Sequence, residues 1–235
     1  MDLEVIVTPA ASAQANMEKD KELLFSLEQH PRFILHLYDW EKPSLTYGCF
    51  AKPEDHLNLE ALSRHGLDFA QRATGGGIVF HVADLAFSVL VPEGYKGFSK
   101  NTLSNYAFVN DKVKAALMHF LRRQKGAEFC KIEPLEPPAC HSFCMAKPTK
   151  YDVMIEGKKA AGAAQRTKRF GYLHQGTISL GELDPRFLAD VLKSEKDVLE
   201  AMQRYTFAPL GKEWQTGLKA AREKLRSMLI QEFQR

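Results

Sequence analysis

The sequence is poor in cysteine, nearly balanced in charge and free of long apolar runs. Four cysteines in 235 residues cannot form a disulfide scaffold for a chain this long, which points to a reducing, cytoplasmic setting. Lys and Arg number 32 against 29 Asp and Glu, so the formal net charge is only +3 and carries no nucleic-acid signature. No apolar stretch approaches the roughly 20 residues that cross a bilayer, and Met1-Asp2-Leu3-Glu4 lacks the basic flank of a signal peptide. Internal repeats, low-complexity tracts and Gly/Ser linkers are missing too, so 1–235 reads as one domain. What is present is ordinary: 45% hydrophobic and 26% charged residues exclude a collagen, a coiled coil or wholesale disorder. A folded surface of about 11,000 Å² against about 39,000 Å² extended would bury roughly 70%, enough for one sizeable core.

The pattern along the chain is mixed. Residues 12–30 read as a helix with Met17, Leu24 and Leu27 on one face, stopped by Pro31. Strands are expected at 33–40, 45–50, 67–73, 78–82 and 85–91, with a short helix at 54–65 ending at Gly66. Val109, Val113, Ala116, Leu117, Phe120 and Leu121 recur at helical spacing within 102–124. Four prolines make 134–150 a loop, and strands follow at 151–155 and 172–180, the first turning at Glu156-Gly157. From about 186 onward the chain is helical, with Leu218, Ala221, Leu225, Met228 and Leu229 on one face. Strands joined mostly by turns, with helices gathered at three places, imply an α+β sheet fold rather than a Rossmann fold.

Two segments stand out chemically. Arg72-Ala73-Thr74-Gly75-Gly76-Gly77-Ile78-Val79-Phe80-His81 places three glycines between strands, where backbone N–H groups can turn toward an acyl carbonyl or phosphate. It is no Walker loop, since no Lys-Ser/Thr follows, and no dinucleotide fingerprint, since no helix opens after it; a plain hairpin turn is the alternative. Tyr151 to Gln165 alternates Asp152, Met154 and Glu156 on one face and follows Lys159 with small residues against which a backbone or substrate can lie. A lysine there is either held rigidly in a site, facing a cavity, or is a solvated hairpin tip.

Taken together, Arg-x-Thr-Gly-Gly-Gly-x-Val-Phe-His and Tyr-Asp-…-Gly-Lys-Lys-x-x-Gly-x-Ala-Gln resemble the biotin/lipoate protein ligase and octanoyltransferase superfamily. Asn16-Met17 with Asp20, Leu23 and Leu24, Pro43-Ser44-Leu45 with Gly48, and His174-Gln175-Gly176-Thr177 extend the resemblance over about residues 12–190. It implies an α+β fold on a mixed, mainly antiparallel sheet flanked by helices. It also implies attachment of a lipoyl or octanoyl group to a lysine of a lipoyl carrier domain, of the 2-oxoacid dehydrogenase or glycine cleavage H type. Carried onto this chain, Arg72, Thr74, Gly75, Gly76, Gly77, His81, Asp152, Gly162 and Gly176 would serve acyl or nucleotide binding, and Lys159 would be the essential lysine. The chain departs from the family pattern at Gln71, Val82 and Ala86, where a second arginine, an acidic residue and an asparagine are usual; these departures weigh on ATP-dependent ligation.

The superfamily contains two chemistries. A ligase activates lipoate with ATP and Mg²⁺, Asp152 being the residue that would hold the metal. A transferase needs no cofactor and passes an octanoyl group from an acylated carrier, such as acyl carrier protein, through a cysteine thioester. Cys144-Met145-Ala146-Lys147-Pro148-Thr149-Lys150-Tyr151-Asp152 resembles the cysteine loop of Cys-dependent octanoyltransferases. Cys144 is therefore the expected nucleophile, with Lys147, Lys150 and Lys159 available to lower its pKa, against the alternative of an idle loop cysteine. Cys140-His141-x-x-Cys144 lacks the second close pair that a structural zinc requires. The Lys and Arg residues from 147 to 169 are a possible steering face for an acidic carrier domain. A non-catalytic paralogue that binds lipoyl domains or acyl groups is the non-enzyme alternative, and no helix-turn-helix precedes the catalytic region.

Overall fold

The computed structural model describes residues 2–124, 126–193 and 195–235. In chain order the elements are β1 (Leu3–Val7), α1 (Ala13–Ser26), β2 (Phe33–Leu37), β3 (Ser44–Tyr47), α2 (Pro53–His56), α3 (Leu59–Arg64), β4 (Asp68–Gln71), β5 (Ile78–His81) and β6 (Asp84–Pro92). There follow α4 (Thr102–Phe120), β7 (Ala127–Phe129), β8 (Val153–Ile155), β9 (Lys158–Lys168), β10 (Gly171–Ser179), α5 (Pro185–Val191), α6 (Glu195–Tyr205) and α7 (Leu218–Gln234). Single 3₁₀ turns occupy Pro138–Ser142 and Gly211–Thr216.

Seven strands form one sheet in the order β1-β2-β6-β10-β9-β8-β7, and β4-β3-β5 form a second. Among the named strands of the described residues, β1/β2 and β3/β4 pair in parallel and the other ladders are antiparallel, which is the mixed, mainly antiparallel α+β arrangement that the sequence implies. One face of the large sheet packs Leu85, Phe87, Val89 and Val91 of β6 against Val109, Val113 and Leu117 of α4 and Leu225 and Leu229 of α7. The opposite face receives α1, through Met17 on Ala86 and through Leu23 and Leu24 on Leu90 and Leu173. The small sheet covers the rest of that side and rests its own far face on α3, α5 and α6 through Leu62, Leu188 and Met202.

Local signals explain most boundaries. The Ser12 hydroxyl accepts from the Ala15 N–H at 3.2 Å and starts α1, and the Asn101 side chain accepts from Leu103 at 2.9 Å and starts α4. Helix α1 ends at Ser26, before Pro31, because the N–H groups of Leu27, Glu28 and Gln29 bond three residues back and tighten the chain into turns. The single helix expected at 54–65 is two: Leu57 is extended and bridges Leu192, after which Asn58 caps α3. The Glu156-Gly157 turn has both residues at positive φ, the geometry that joins two antiparallel strands tightly. Strands β1 and β7 and the length of β9 go beyond the sequence pattern. The Ala160-Ala161-Gly162-Ala163-Ala164 run has weak strand propensity, but it lies between β8 and β10 with partners on both sides.

Candidate functional site

The glycine loop leaves β4 and enters β5, and the cysteine loop lies directly against it. Cys144 N–H donates to the Ile78 carbonyl at 3.0 Å, and Phe143 bridges Ile78 in parallel. Gly76 takes φ +85°, a conformation that L side chains rarely adopt. A Cβ there would stand 3.4 Å from Arg72 Nη2, 3.5 Å from Ala164 Cβ and 3.7 Å from Cys144 Sγ, so the guanidinium and the thiol flank the same glycine. The Arg72 guanidinium donates to the Gly75 carbonyl at 3.1 Å, to the Gly77 carbonyl at 2.7 Å and to the Thr46 hydroxyl at 2.8 Å, which fixes the loop from within. Burial pulls the Arg72 pKa down, while Cys144 and Tyr38 push it back up.

Cys144 lines two cavities. The inner one is narrow and walled mainly by Met17, Tyr38, Val79, Ala163 and Gly176, with Arg72, His81 and Gly162 also reaching it. The outer cleft, about 330 Å³, is lined by Gly75, Gly76 and Gly77 and by Lys147, Thr149 and Lys159. Lys159 is 3% exposed: its Nζ pairs with Asp152 Oδ2 at 2.6 Å and donates to the Cys144 carbonyl at 2.7 Å. Gly162 makes room for it, since a Cβ there would fall 2.4 Å from Lys159 Cε. The lysine therefore faces the cleft from within a buried ion pair, whereas its neighbour Lys158 is exposed. Asp152 also accepts from the Thr149 N–H at 2.7 Å and hydroxyl at 2.9 Å; burial nevertheless raises its pKa, outweighing Lys159 and Thr149. Its Oδ2 is thus committed to Lys159 and Thr149, and that pairing would have to open before the oxygen could reach a magnesium ion.

His81 belongs to a relay. The Thr46 hydroxyl accepts from Arg72 and shares a 2.8 Å hydrogen bond with His81 Nε2, while His81 Nδ1 lies 2.7 Å from Asp84 Oδ2, to which it donates. Burial acts to raise the Asp84 pKa, but His81, Thr177 and Arg222 outweigh it and hold the carboxyl below its ordinary value. Val82, which is not an acid, follows His81 directly; the β5–β6 turn brings Asp84 to the ring instead, a partner legible only once 78–81 and 84–92 are strands of the two different sheets joined by a short turn.

A second buried network holds the other side of the loop. Asp20 accepts from His36 Nδ1 at 2.8 Å, the Ser88 hydroxyl at 2.6 Å and Gln175 Nε2 at 2.6 Å; Gln175 Oε1 then accepts from the Thr74 hydroxyl at 2.8 Å. Thr74 is fully buried in this network and braces the loop without lining either cavity.

Two features expected from the sequence differ in the structure, the cation beside the thiol and the basic face, and the two loop cysteines are also placed. The cation beside the Cys144 sulfur is Arg72; Lys159 serves the Cys144 carbonyl and Lys147 lies 3.8 Å from Glu133. Cys140 and Cys144 diverge, Cys140 being buried with its thiol on the Asp197 carbonyl, so they do not converge on one zinc position. The basic residues from 147 to 169 form no single face, because Arg166 donates to the Ala73 carbonyl and Arg169 pairs with Glu28 at the far end of the β9–β10 hairpin.

Two kinds of likeness accompany this geometry. Residues 12–232 match the family described as lipoyl protein ligase A/B catalytic domain. The octanoyltransferase LipM of Kyrpidia tusciae is 32% identical over 210 residues, covering 85% of this chain and 73% of its own length. The LipM of Geobacillus kaustophilus is 32% identical over 196 residues, covering 80% of this chain and 69% of its own. The bipartite lipoate protein ligase from Thermoplasma acidophilum, solved in a study of an archaeal lipoylation system and its E2 lipoyl domain, superposes with TM-score 0.74. That match covers 99% of this chain and 82% of the solved one at 20% identity, which speaks to fold alone. With the matched domain spanning nearly the whole sequence, the chain belongs to the lipoyl protein ligase A/B catalytic domain family.

Proposed function

We propose that the protein is an acyltransferase of protein lipoylation. It takes an octanoyl group from an acylated carrier onto Cys144 and passes it to the lysine of a lipoyl carrier domain. The observation that carries this reading is the position of Cys144 Sγ, beside Arg72 and Gly76, where the inner chamber meets the outer cleft. The likeness to LipM octanoyltransferases over most of both chains supports it.

In the first step the Cys144 thiolate attacks the carbonyl carbon of the donor thioester. The carrier thiolate leaves and takes up a proton, and Cys144 becomes a thioester. In this scheme Arg72 supplies positive charge beside the sulfur, and N–H groups of the Gly75–Gly77 loop serve as donors to the developing oxyanion. Lys159 adds positive charge at the cleft and holds the cysteine loop by its bond to the Cys144 carbonyl. In the second step the neutral amine of the acceptor lysine attacks the Cys144 thioester, an amide forms, the Cys144 thiolate departs and the amine loses its proton to solvent. The octanoyl chain occupies the inner chamber; burying its six methylenes is worth about 5 kcal/mol at roughly 0.8 kcal/mol each. Lys147 and Lys150, near the cleft, are the residues offered to an acidic carrier.

No nucleotide enters this scheme, which places the protein apart from an ATP-dependent ligase. The test supplies a lipoyl domain with octanoyl acyl carrier protein in one arm and octanoate, ATP and Mg²⁺ in the other, and weighs the domain intact. The proposal expects mass gain in the first arm alone. Gain only in the second would make the protein a ligase acting through an acyl-adenylate, and gain in neither would leave a binding paralogue. Among the described residues no helix is long and apolar enough to cross a membrane, and the assay is run in aqueous buffer.

A further inference from the structure

The alternation of ladder bonds leaves β9 with one free edge. Leu180 N–H bonds the Ala83 carbonyl and Glu93 N–H bonds the Phe170 carbonyl, so the even-numbered residues of β10 bond β6 and the odd-numbered ones bond β9. Through the β9–β10 register, Gly162, Ala164 and Arg166 then turn their main-chain groups to β10, whereas Ala163 and Gln165 turn theirs outward. Strand β8 stops at Val153, opposite Ala161, and among the described residues no strand pairs with this outer edge beyond it. Ala163 and Gln165 are both partly exposed, and both line the outer cleft with Cys144. The thiol is close, because the Cβ position of Gly76 lies 3.5 Å from Ala164 Cβ and 3.7 Å from Cys144 Sγ. Tyr106 of α4, edge-on to His174, stands on one face of the strand and the glycine loop on the other, so whatever follows this edge to the sulfur must be thin.

We propose that this free edge binds the acyl donor by strand addition: secondary amides along the donor's thiol arm exchange hydrogen bonds with the main chain of Ala163 and Gln165 while its thioester meets Cys144. This rests on the thioester transfer proposed above and names what that transfer recognises in its donor. An unpaired strand edge leaves main-chain donors and acceptors open, and a secondary amide is the group that satisfies both kinds at once. A cleft of about 330 Å³ suits an arm that is unbranched near the sulfur better than a peptide strand with its side chains. The acceptor enters differently, since a lysine side chain is a run of methylenes with no amide along it. It can follow the same route once the donor's thiol has left, without using the edge. The edge thus selects the carrier linkage, and the inner chamber the acyl chain.

The test measures octanoyl transfer onto Cys144 by intact mass from three donors: S-octanoyl-pantetheine, the same compound methylated on the amide nitrogen nearest the sulfur, and S-octanoyl-mercaptoethanol, which has no amide. Each rate is divided by that donor's rate with free cysteine, which removes differences in thioester reactivity. In wild type the pantetheine thioester is expected to react at least ten-fold faster than either of the others. Ala163→Pro deletes one outward N–H and leaves the β10 ladder untouched, at a place where an edge strand accepts proline. The preference for the pantetheine donor should then fall five-fold or more. If that variant does not melt cooperatively, the methylated donor answers the same question on the unaltered chain. Equal rates for the parent and methylated donors, or an unchanged preference in a folded Ala163→Pro variant, would overturn the proposal and leave the thioester relay standing. Acylation of Cys144 by none of the three would remove the relay, and this inference with it.

Discussion

The two faces of the large sheet are built by the same pair of strands, and the register that joins β6 to β10 sends opposite chemistry to each side. Toward α4 and α7 go Leu85, Phe87, Val89, Tyr172 and Ile178, a dry core. Toward α1 and the small sheet go, beyond the apolar pair Leu90 and Leu173, Ser88 opposite Gln175, Ala86 opposite Thr177 and Asp84 opposite Ser179. On this polar side most buried groups are bonded into networks: Asp20 alone accepts three hydrogen bonds. On the apolar side His174 sits beside Phe87 and Tyr106, with Nδ1 on the Gln165 amide at 2.8 Å and Nε2 without a partner. The lesson is one of division of labour. One face supplies cohesion, and the other spends buried polarity on holding the glycine and cysteine loops.

Substitutions on the two faces should therefore fail differently. The largest effect is expected from Lys159→Ala, which removes acyl attachment and leaves Asp152 buried without its cation. Unfolding free energy should drop by about 3 kcal/mol at pH 8. The loss should shrink toward pH 5, because Asp152, with a pKa already raised, escapes by taking a proton; denaturant melts at the two pH values check this. Next is Leu117→Ala on the dry face, expected to cost about 3 kcal/mol by leaving a cavity, with acyl transfer per folded molecule within two-fold of wild type. Retained stability, or a selective loss of transfer, would break the division between faces.

Asp20→Asn comes third. All three partners donate to Asp20 in the native network, so the new amide NH₂ requires one of them to accept instead, His36 by changing tautomer or Ser88 by turning its hydroxyl; a loss of about 1 kcal/mol and a measurable fall in kcat are expected. A smaller effect concerns His174, whose pKa burial lowers to about 3. Between its unfolded value near 6.5 and 3 the unfolded chain binds the proton and the folded one does not, so stability falls with pH across that window. The slope from His174 alone is at most about 1.4 kcal/mol per pH unit. His174→Gln should flatten the profile between pH 6 and 4.5, and an unchanged slope would show that this histidine is not the group responsible.

Much of this arrangement was legible in the sequence, for identifiable reasons. Arg72 to His81 and Cys144 to Lys159 are contiguous segments with unusual residue types, so their approach could be anticipated from a family pattern. The α4 and α7 faces follow from apolar spacing, and Val109, Val113, Leu117, Leu225 and Leu229 are indeed buried. The polar supports were not legible because each joins residues distant in the chain: Asp20 to Gln175, Thr46 to His81, Tyr38 to the inner chamber. Asp84 was near enough to notice, three residues after His81, but its role depends on the turn between β5 and β6. Likewise Arg72 was placed with the acyl cavity, and its second position, beside the sulfur of Cys144, needed Gly76 at positive φ to bring the two loops into contact.

The central claim is that an acyl group rests on Cys144 before it reaches any lysine. Intact mass measurement of the protein mixed with octanoyl acyl carrier protein, without nucleotide or acceptor, tests it directly. The account predicts one octanoyl adduct, mapped to Cys144, removed by hydroxylamine and absent from Cys144→Ser. No adduct on Cys144, together with ATP-dependent modification of a lipoyl domain by the Cys144→Ser variant, would contradict it.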